Sequence, residues 1–567
     1  MARRQPPLPP PNLLERAIGA VSPRWALKRH QARMSMVLTG GYVGAGYSER
    51  LVNWQPGVGD ADANSVRDLR ELRARSRDLV RNSPIAGGAI ETTVTNVVGR
   101  GLRLQAHVDA ELLGLDDEAA AKWQRNAERR FAVWAASELA DCMGELNFAE
   151  LQDLALRTWM ESGDTAVILA QRRRPQWPFT LALQIVEADR ICNPDFRANN
   201  QQYVSGFERD DIGASVAVHI CNHHPGTALP HGAFKWARLE LRGAKTGRRN
   251  VLILKRKKRP GQTRGIPELA PIIGTLKQMD RYADAEIDAA VNSAAMAIFT
   301  KMDPDTFSEI FEPADQQRII ESAHAWDGTL RSGSAINLLP GEDVTMPNPG
   351  RPNPNFDPFM QAFMRFVGIG LNLPHEVLTK HFQSSYSAAR AALLDAWRAF
   401  MVRRQRLADK LCQPVYEEWL ADEVANRRIA APGFFADPMI RAAWCGAAWS
   451  GDGPGSLDPL KEVKAARERM DAGITTLAEE TLAYDGGDWE GKHRQRAREV
   501  DERIEAGLQA PIAAAGVAAD GEPLSGAGRA ARPGPAMPGA PGDGSDLDEG
   551  EGEGEGSEGE GGDELPG

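Results

Sequence analysis

Between Ile266 and Trp419 the chain spells out two long helices held apart by an interval rich in proline, and no feature limits the fold more. Over residues 266–299, Leu269, Ile272, Ile273, Leu276, Met279, Ala283, Ile287, Ala290 and Ala294 recur at spacings of three and four, the period of an amphipathic helix. At ~1.5 Å per residue such a helix is roughly 50 Å long. Ala289, Ala290, Ala294, Ala295 and Ala297 keep its far end slim, which suits helices packed closely side by side. After Lys301 the pattern breaks into a short helix near 313–326 and a run over 334–339, and Pro347, Pro349, Pro352 and Pro354 keep the chain extended. Helical spacing returns over 357–369, and a polar, flexible segment follows from Leu373 to Ser387. The last long helix starts near Ser387 with Leu393, Trp397, Phe400, Leu407 and Leu411 on one side. Pro414 lies inside it at a cost of ~3 kcal/mol, so a kink is expected there.

The 567 residues allow two or three domains with ample core. A content of 42% hydrophobic and 26% charged residues is that of a soluble globular protein. No window approaches the ~18 consecutive apolar residues of a membrane span, so no membrane partner is expected. The stretch 1–11 is basic and proline-rich without an apolar core, unlike a secretory signal. Cys142, Cys192, Cys221, Cys412 and Cys445 are odd in number and widely spaced, which points to a reducing compartment. The net charge of −11 is concentrated: eleven acidic residues and no Lys or Arg lie between Asp543 and Glu564, so the rest is neutral. Residues 509–567 form a Gly/Glu-rich tail too poor in apolar surface to fold, and disorder is expected.

Residues 1–60 alternate Pro, Gly and basic positions and suggest an arm. From Ser65 the pattern is helical, with Val66, Leu69, Leu72, Leu79 and Val80 among many arginines. A second helix opens at Asn82-Ser83-Pro84, where Pro84 suits the first turn, and ends near Gly99-Arg100-Gly101. Further helices are predicted over 119–136 and 147–161, and strands over 165–170, 180–186, 216–221 and 251–255. Beyond Gly455, helices fit 460–472 and 489–508. The fold class is therefore α+β, mainly helical.

Motifs for bond-making chemistry are missing. Neither Gly-x4-Gly-Lys-Ser/Thr nor Gly-x-Ser-x-Gly occurs, and Gly40-Gly41-Tyr42-Val43-Gly44-Ala45-Gly46 is not a dinucleotide fingerprint. His375 and His381 are six apart, about 240° around a helix, whereas a zinc-protease helix needs four. His219, Cys221 and His223 alternate as on one face of a strand, with His224 and His231 nearby. A metal site is one reading of them; a strand edge entering the Pro225-Gly226 turn is preferred. Lys255, Arg256, Lys257, Lys258 and Arg259 form a basic run that suits either phosphates or acids on a neighbouring subunit. Asp280, Asp284 and Asp288 form an acidic stripe. It is either a solvent face paired with Lys277 and Arg281 or a wall that repels phosphates.

Several segments, in order, resemble the lambda family of tailed-phage portal proteins. They are Arg73-Ala74-Arg75-Ser76-Arg77, Asn82-Ser83-Pro84-Ile85-Ala86-Gly87-Gly88-Ala89-Ile90 and Asn96-Val97-Val98-Gly99-Arg100-Gly101. Gly163-Asp164, Glu187-Ala188-Asp189-Arg190, His224-Pro225-Gly226, Arg259-Pro260-Gly261-Gln262 and Arg264-Gly265-Ile266-Pro267 follow. Leu373-Pro374-His375-Glu376-Val377-Leu378-Thr379 and Tyr386-Ser387-Ala388-Ala389-Arg390-Ala391 complete the set. The resemblance covers roughly residues 40–505. It implies a wing over 61–265, a first stem helix over 266–299, a clip over 300–354 and a second stem helix over 355–370. A tunnel loop over 371–386, a long kinked helix over 387–430 and crown helices over 431–508 would follow.

The resemblance further implies a homo-oligomeric ring, dodecameric in the virion, passing double-stranded DNA at one capsid vertex. Its partners would be the terminase large subunit, major capsid and scaffold proteins, and a head-completion or connector protein. It implies no catalysis and no cofactor, since the ATPase motor is a separate protein. Lys380, His381, Gln383, Ser384 and Arg390 are the candidates nearest DNA. Two other readings compete: a metal-dependent nucleic-acid-processing enzyme built on His219 to His231, and a different head–tail adaptor.

Overall fold

The computed structural model describes residues 22–25, 27–29, 56–294, 298–300, 303–324, 335–337, 353–382, 385–455 and 459–508. The expected acidic tail lies outside these residues, as does most of the expected arm. The chain divides into two units, 1–493 and 494–567, and the sheets and the core belong to the first.

Helix α1 (Leu69–Asn82) stops at Ser83, whose extended backbone is the conformation that a following proline enforces. Pro84 then opens α2 (Pro84–Val97), as expected. A short strand β1 (Arg103–Ala106) leads to α3 (Asp117–Ala136) and α4 (Phe148–Ser162). Asn147 and Glu150 cap the start of α4 reciprocally, each side chain bonding the other's backbone amide.

Strand β2 (Asp164–Gln171) pairs antiparallel with both β3 (Leu181–Val186) and β8 (Val251–Lys255). Between them in sequence, β4 (Tyr203–Val204), β5 (Phe207–Arg209), β6 (Ser215–Cys221) and β7 (Trp236–Glu240) form a second antiparallel sheet in that order. Strand β6 is thus interior, not the expected edge, and its last five residues are buried. A small core of Ala166, Val186, Ile191, Phe207, Val218, Ile220 and Val251 lies between the sheets.

The first long helix begins later than its spacing suggests. Pro267 and Pro271 withhold amide hydrogens, so a 3-10 turn over 270–272 precedes α5 (Ile273–Ala294). It also ends earlier: Ile298 and Phe299, expected at the end of the helix, belong with Thr300 to strand β9 (Ile298–Thr300), parallel to β10 (Ala335–Asn337). Short helices lie at Pro304–Ile310 and Pro313–His324. Helix α6 (Phe356–Leu371) packs along α5, with the Tyr282 ring 4.8 Å from that of Phe359 and 5.8 Å from that of Phe356.

The segment read as a loop over 371–386 contains α7 (His375–Thr379), anchored by buried Leu373 and Val377. Helix α8 (Tyr386–Leu407) runs into a π turn over Ala408–Cys412 and continues as α9 (Gln413–Ala425). The π turn answers Pro414, which has no amide hydrogen and whose ring excludes the carbonyl of an ordinary turn. After α10 (Pro438–Trp444), β11 (Ala447–Ser450) pairs antiparallel with β1, tying early and late parts of the chain together. Helices α11 (Pro459–Asp471), α12 (Leu477–Asp485) and α13 (Trp489–Glu505) follow. Phe131, Trp134, Phe148, Tyr416 and Trp419 fill the centre of the main core, with Phe131 meeting Phe148, Tyr416 and Trp419 edge to face. Among the described residues no helix is long and apolar enough to cross a membrane.

Candidate functional site

Segments far apart in the chain meet around one carboxylate. Asp164, first residue of β2, is fully buried. Arg264 grips it at both oxygens, Nε to Oδ2 at 2.7 Å and Nη2 to Oδ1 at 2.8 Å. Arg73 of α1 adds Nη2 to Oδ1 at 2.8 Å, and the Gly265 amide donates to Oδ2 at 2.8 Å. Arg264 donates its other guanidinium hydrogens to the carbonyls of Ala188, Ile191 and Ser205, while Arg73 gives Nε to the Ser162 carbonyl and Nη1 to the Ala188 carbonyl and, at 3.3 Å, to Asp189 Oδ1. Burial by itself raises a carboxyl pKa, but the charges of Arg264 and Arg73 outweigh it and hold Asp164 at about 2.

Two glycines make this crossing passable. A Cβ on Gly163, where φ is +88°, would lie 2.5 Å from the backbone of Gly265 and Ile266; one on Gly265 would lie 1.8 Å from the Gly163 carbonyl oxygen. Gly163-Asp164 and Arg264-Gly265 are therefore two halves of one junction. Its carboxylate is saturated with donors, so it fixes chain geometry and has no lone pair left for a substrate.

Beside the junction, His224 Nε2 stands 3.5 Å from Asp189 Oδ2 and 3.9 Å from Glu187 Oε1. The donor types suit a divalent cation, and their ligand atoms lie close enough together. Two observations oppose that reading. The Gly226 amide donates to His224 Nδ1 at 2.9 Å, so Nδ1 carries the lone pair and Nε2 the hydrogen. Arg77 Nη1 already fills the cationic position, 2.5 Å from Asp189 Oδ2 and 3.3 Å from Glu187 Oε1. The other histidines and cysteine do not join in: His219 faces Glu208 at 3.5 Å, Cys221 is buried, and His223 lies beyond the end of β6.

The basic run divides. Lys255 sits opposite Asp164 in the β2–β8 pairing, gives its ammonium to the Thr263 carbonyl and lies 4.8 Å from the Phe207 ring centre. Burial pulls its pKa down to about 8. Arg256, Lys257 and Lys258 are exposed, and Arg259 reaches the Gly59 carbonyl at 3.2 Å. The acidic stripe divides too. Asp280 is half-buried and accepts from the Ser83 hydroxyl at 3.4 Å, while Asp284 and Asp288 are exposed and, among the described residues, make no ion pair with Lys277 or Arg281.

Lys380 ends α7 in the left-handed conformation and, like His381, is exposed. Arg390 is half-buried on α8; Gln383 and Ser384 lie outside the described residues. Lys380 and Arg390 come together with Phe382, Trp397, Lys461 and Lys492 around a cleft of about 1070 Å³, and His381 stays outside it. Lys461 and Lys492 escaped sequence reasoning because they lie some 70–110 residues away on other helices, with no local signal linking them to α8.

The family described as phage portal protein, lambda family, matches residues 47–404. Portal protein B of Escherichia phage lambda is 26% identical over 491 residues, covering 83% of this chain and 91% of that protein. The portal protein of Escherichia phage N15 is 26% identical over 493 residues, 83% and 92% of the two chains. A solved neck structure from an empty GTA particle has a TM-score of 0.41 at 15% identity, over 70% of this chain and 99% of that one. With a match of that extent, running from before α1 into the last turn of α8, the chain belongs to the lambda family of phage portal proteins.

Proposed function

We propose that twelve copies of this chain close into a ring at one capsid vertex, whose bore passes double-stranded DNA during packaging and ejection. The observation that carries this reading is the family match, which spans the α+β region and both helices expected as the stem. Residues 61–265 serve as the wing, rigid because the Asp164 junction clamps two sheets and α1 together. Helices α5 and α6 serve as the stem, and 300–354 as the clip that meets the terminase large subunit and later a head-completion protein. Lys380, Arg390 and His381 lie nearest the moving duplex, with Gln383 and Ser384 between them in sequence. Arg256, Lys257 and Lys258 present cations to acidic neighbours such as capsid or scaffold protein.

Chemistry is left to other molecules, consistent with a family that is structural. Electron microscopy of the purified full chain tests the proposal: annular particles with a central hole are expected, and compact single-copy particles would overturn it. Replacing Lys380 and Arg390 by alanine is expected to slow packaging or ejection while leaving ring assembly unchanged.

A further inference from the structure

The cleft that holds Lys380 and Arg390 carries positive charge that its own lining does not balance. Three helices supply apolar walls, with Leu393 and Trp397 on α8, Val463 on α11 and Tyr484 on α12. Six Lys or Arg side chains line the cleft against two carboxylates, Glu462 and Glu480. Arg469 is already held by Glu480, and Lys492 by Asp485. Lys380 and Arg390 make no ion pair among the described residues. Thr92 on α2 also lines the cleft; it is buried, and its hydroxyl has no hydrogen-bond partner among the described residues. Unpaired cations, an unpaired buried hydroxyl and apolar walls together suit an anionic segment whose backbone can come close.

This chain carries such a segment. Between Asp543 and Glu564 stand eleven carboxylates and no Lys or Arg. Within it, Glu549-Gly550-Glu551-Gly552-Glu553-Gly554-Glu555-Gly556 alternates strictly. Laid out in extended form, that run puts carboxylates on one face and bare glycine on the other. The glycine face lets backbone lie against Leu393 and Trp397, and the carboxylate face answers Lys380 and Arg390. The tether is long enough. From Lys492 to Leu508 is 16 residues, about 24 Å at helical rise, and the 35 residues from there to Asp543 span up to ~115 Å.

We infer that residues 543–564 dock in this cleft as an internal polyanion, with their carboxylates on Lys380 and Arg390. The docking goes beyond the portal reading and does not depend on ring formation. Under that reading it makes the tail a guard, because DNA phosphates must displace it to reach the same two cations. Tethering holds the segment at a local concentration on the order of millimolar, so modest affinity fills the cleft.

Two measurements on the full chain test this. In wild type, carbodiimide coupling followed by peptide mass spectrometry is expected to join the tail to Lys380 in preference to Lys257 and Lys258, which are exposed. Coupling that favours Lys257 and Lys258 would overturn the cleft as the site. The second measurement uses a labelled synthetic peptide of residues 543–564 at low ionic strength. It is expected to bind a variant with Asn and Gln in place of every Asp and Glu over 543–564 at least tenfold more tightly than wild type, whose own tail fills the cleft. Equal affinity for the two, or no binding to the neutral-tail variant, would overturn the docking. That comparison changes only the tail, so a misfolded cleft cannot imitate the expected result. In the neutral-tail chain, Lys380→Glu with Arg390→Glu is expected to weaken the peptide at least tenfold, and Lys257→Glu with Lys258→Glu to leave it unchanged. The reverse pattern would place the acidic segment on the basic run and end the assignment.

Discussion

Around Asp164 the partners of a buried carboxylate all lie within one subunit, whereas along α5 and α6 large apolar side chains stand open to solvent. At the first place Arg73, Arg264 and Asp164 leave no buried polar atom unpaired among the described residues. At the second, Ile287, Val291, Phe366 and Ile369 are each more than three-fifths exposed. The contrast separates what a subunit must complete alone from what it completes only in company. A buried ion pair tolerates no delay, because an unpaired charge inside a protein costs several kcal/mol from the moment of folding. An exposed leucine-sized surface costs little by itself and becomes useful once a neighbour arrives.

Asp164→Asn strikes the finished region hardest. It leaves two buried guanidinium groups without a counter-charge and turns an amide NH2 toward donors, so a loss of about 3–5 kcal/mol is expected in urea unfolding. The same carboxylate sets an acid limit. Its folded pKa of about 2 lies below the ordinary value near 3.9, so its contribution is complete above pH ~4 and disappears as pH falls through 2. The Asn variant should lack that acid transition, and an unchanged acid profile would remove the junction from its central place.

Gly265→Ala comes next. Its new methyl would sit 1.8 Å from the Gly163 carbonyl oxygen, so two backbones must separate, at about 1–3 kcal/mol by the same assay. A stability equal to wild type would mean that the crossing has room to spare.

Lys255 gives a smaller effect with a distinctive pH signature. Its folded pKa of about 8 lies below the usual 10.5, so between those values the unfolded chain holds a proton that the folded chain has lost. Stability from this group therefore rises as pH goes from 8 to about 10, by roughly 1–2 kcal/mol. Lys255→Met should flatten that rise while leaving β8 paired, read from denaturation midpoints across the window.

These tests also mark how far the sequence was readable. The break between α1 and α2 was legible because Pro84 acts on its own neighbour, and β2, β3, β6 and β8 because runs of Val, Ile and Leu stand between turn residues. The Asp164 junction was not, since its partners lie 91 and 100 residues away and a carboxylate carries no mark of which arginine it will meet. A count of charges likewise could not separate Lys255, at the end of a paired strand, from its exposed neighbours. Pro414 announced a disturbance in the helix, but its resolution as a π turn depends on the buried packing of Leu411, Cys412 and Val415. Over residues 371–386, polarity concealed the apolar pair Leu373 and Val377 that turns a loop into α7.

The smallest expected effect is the one that defines the contrast. Phe366→Glu alters an exposed residue on α6 whose ring touches Phe363 edge-on at 6.4 Å and little else among the described residues. Surface substitutions of this kind shift stability by less than about 0.5 kcal/mol. Unfolding of the dissociated subunit, followed at low protein concentration, should therefore match wild type. A loss beyond about 1 kcal/mol would mean that the α6 edge already supports the single subunit, and that its exposure is not held in reserve for a neighbour. Equality would place the whole value of that side chain outside the chain that carries it.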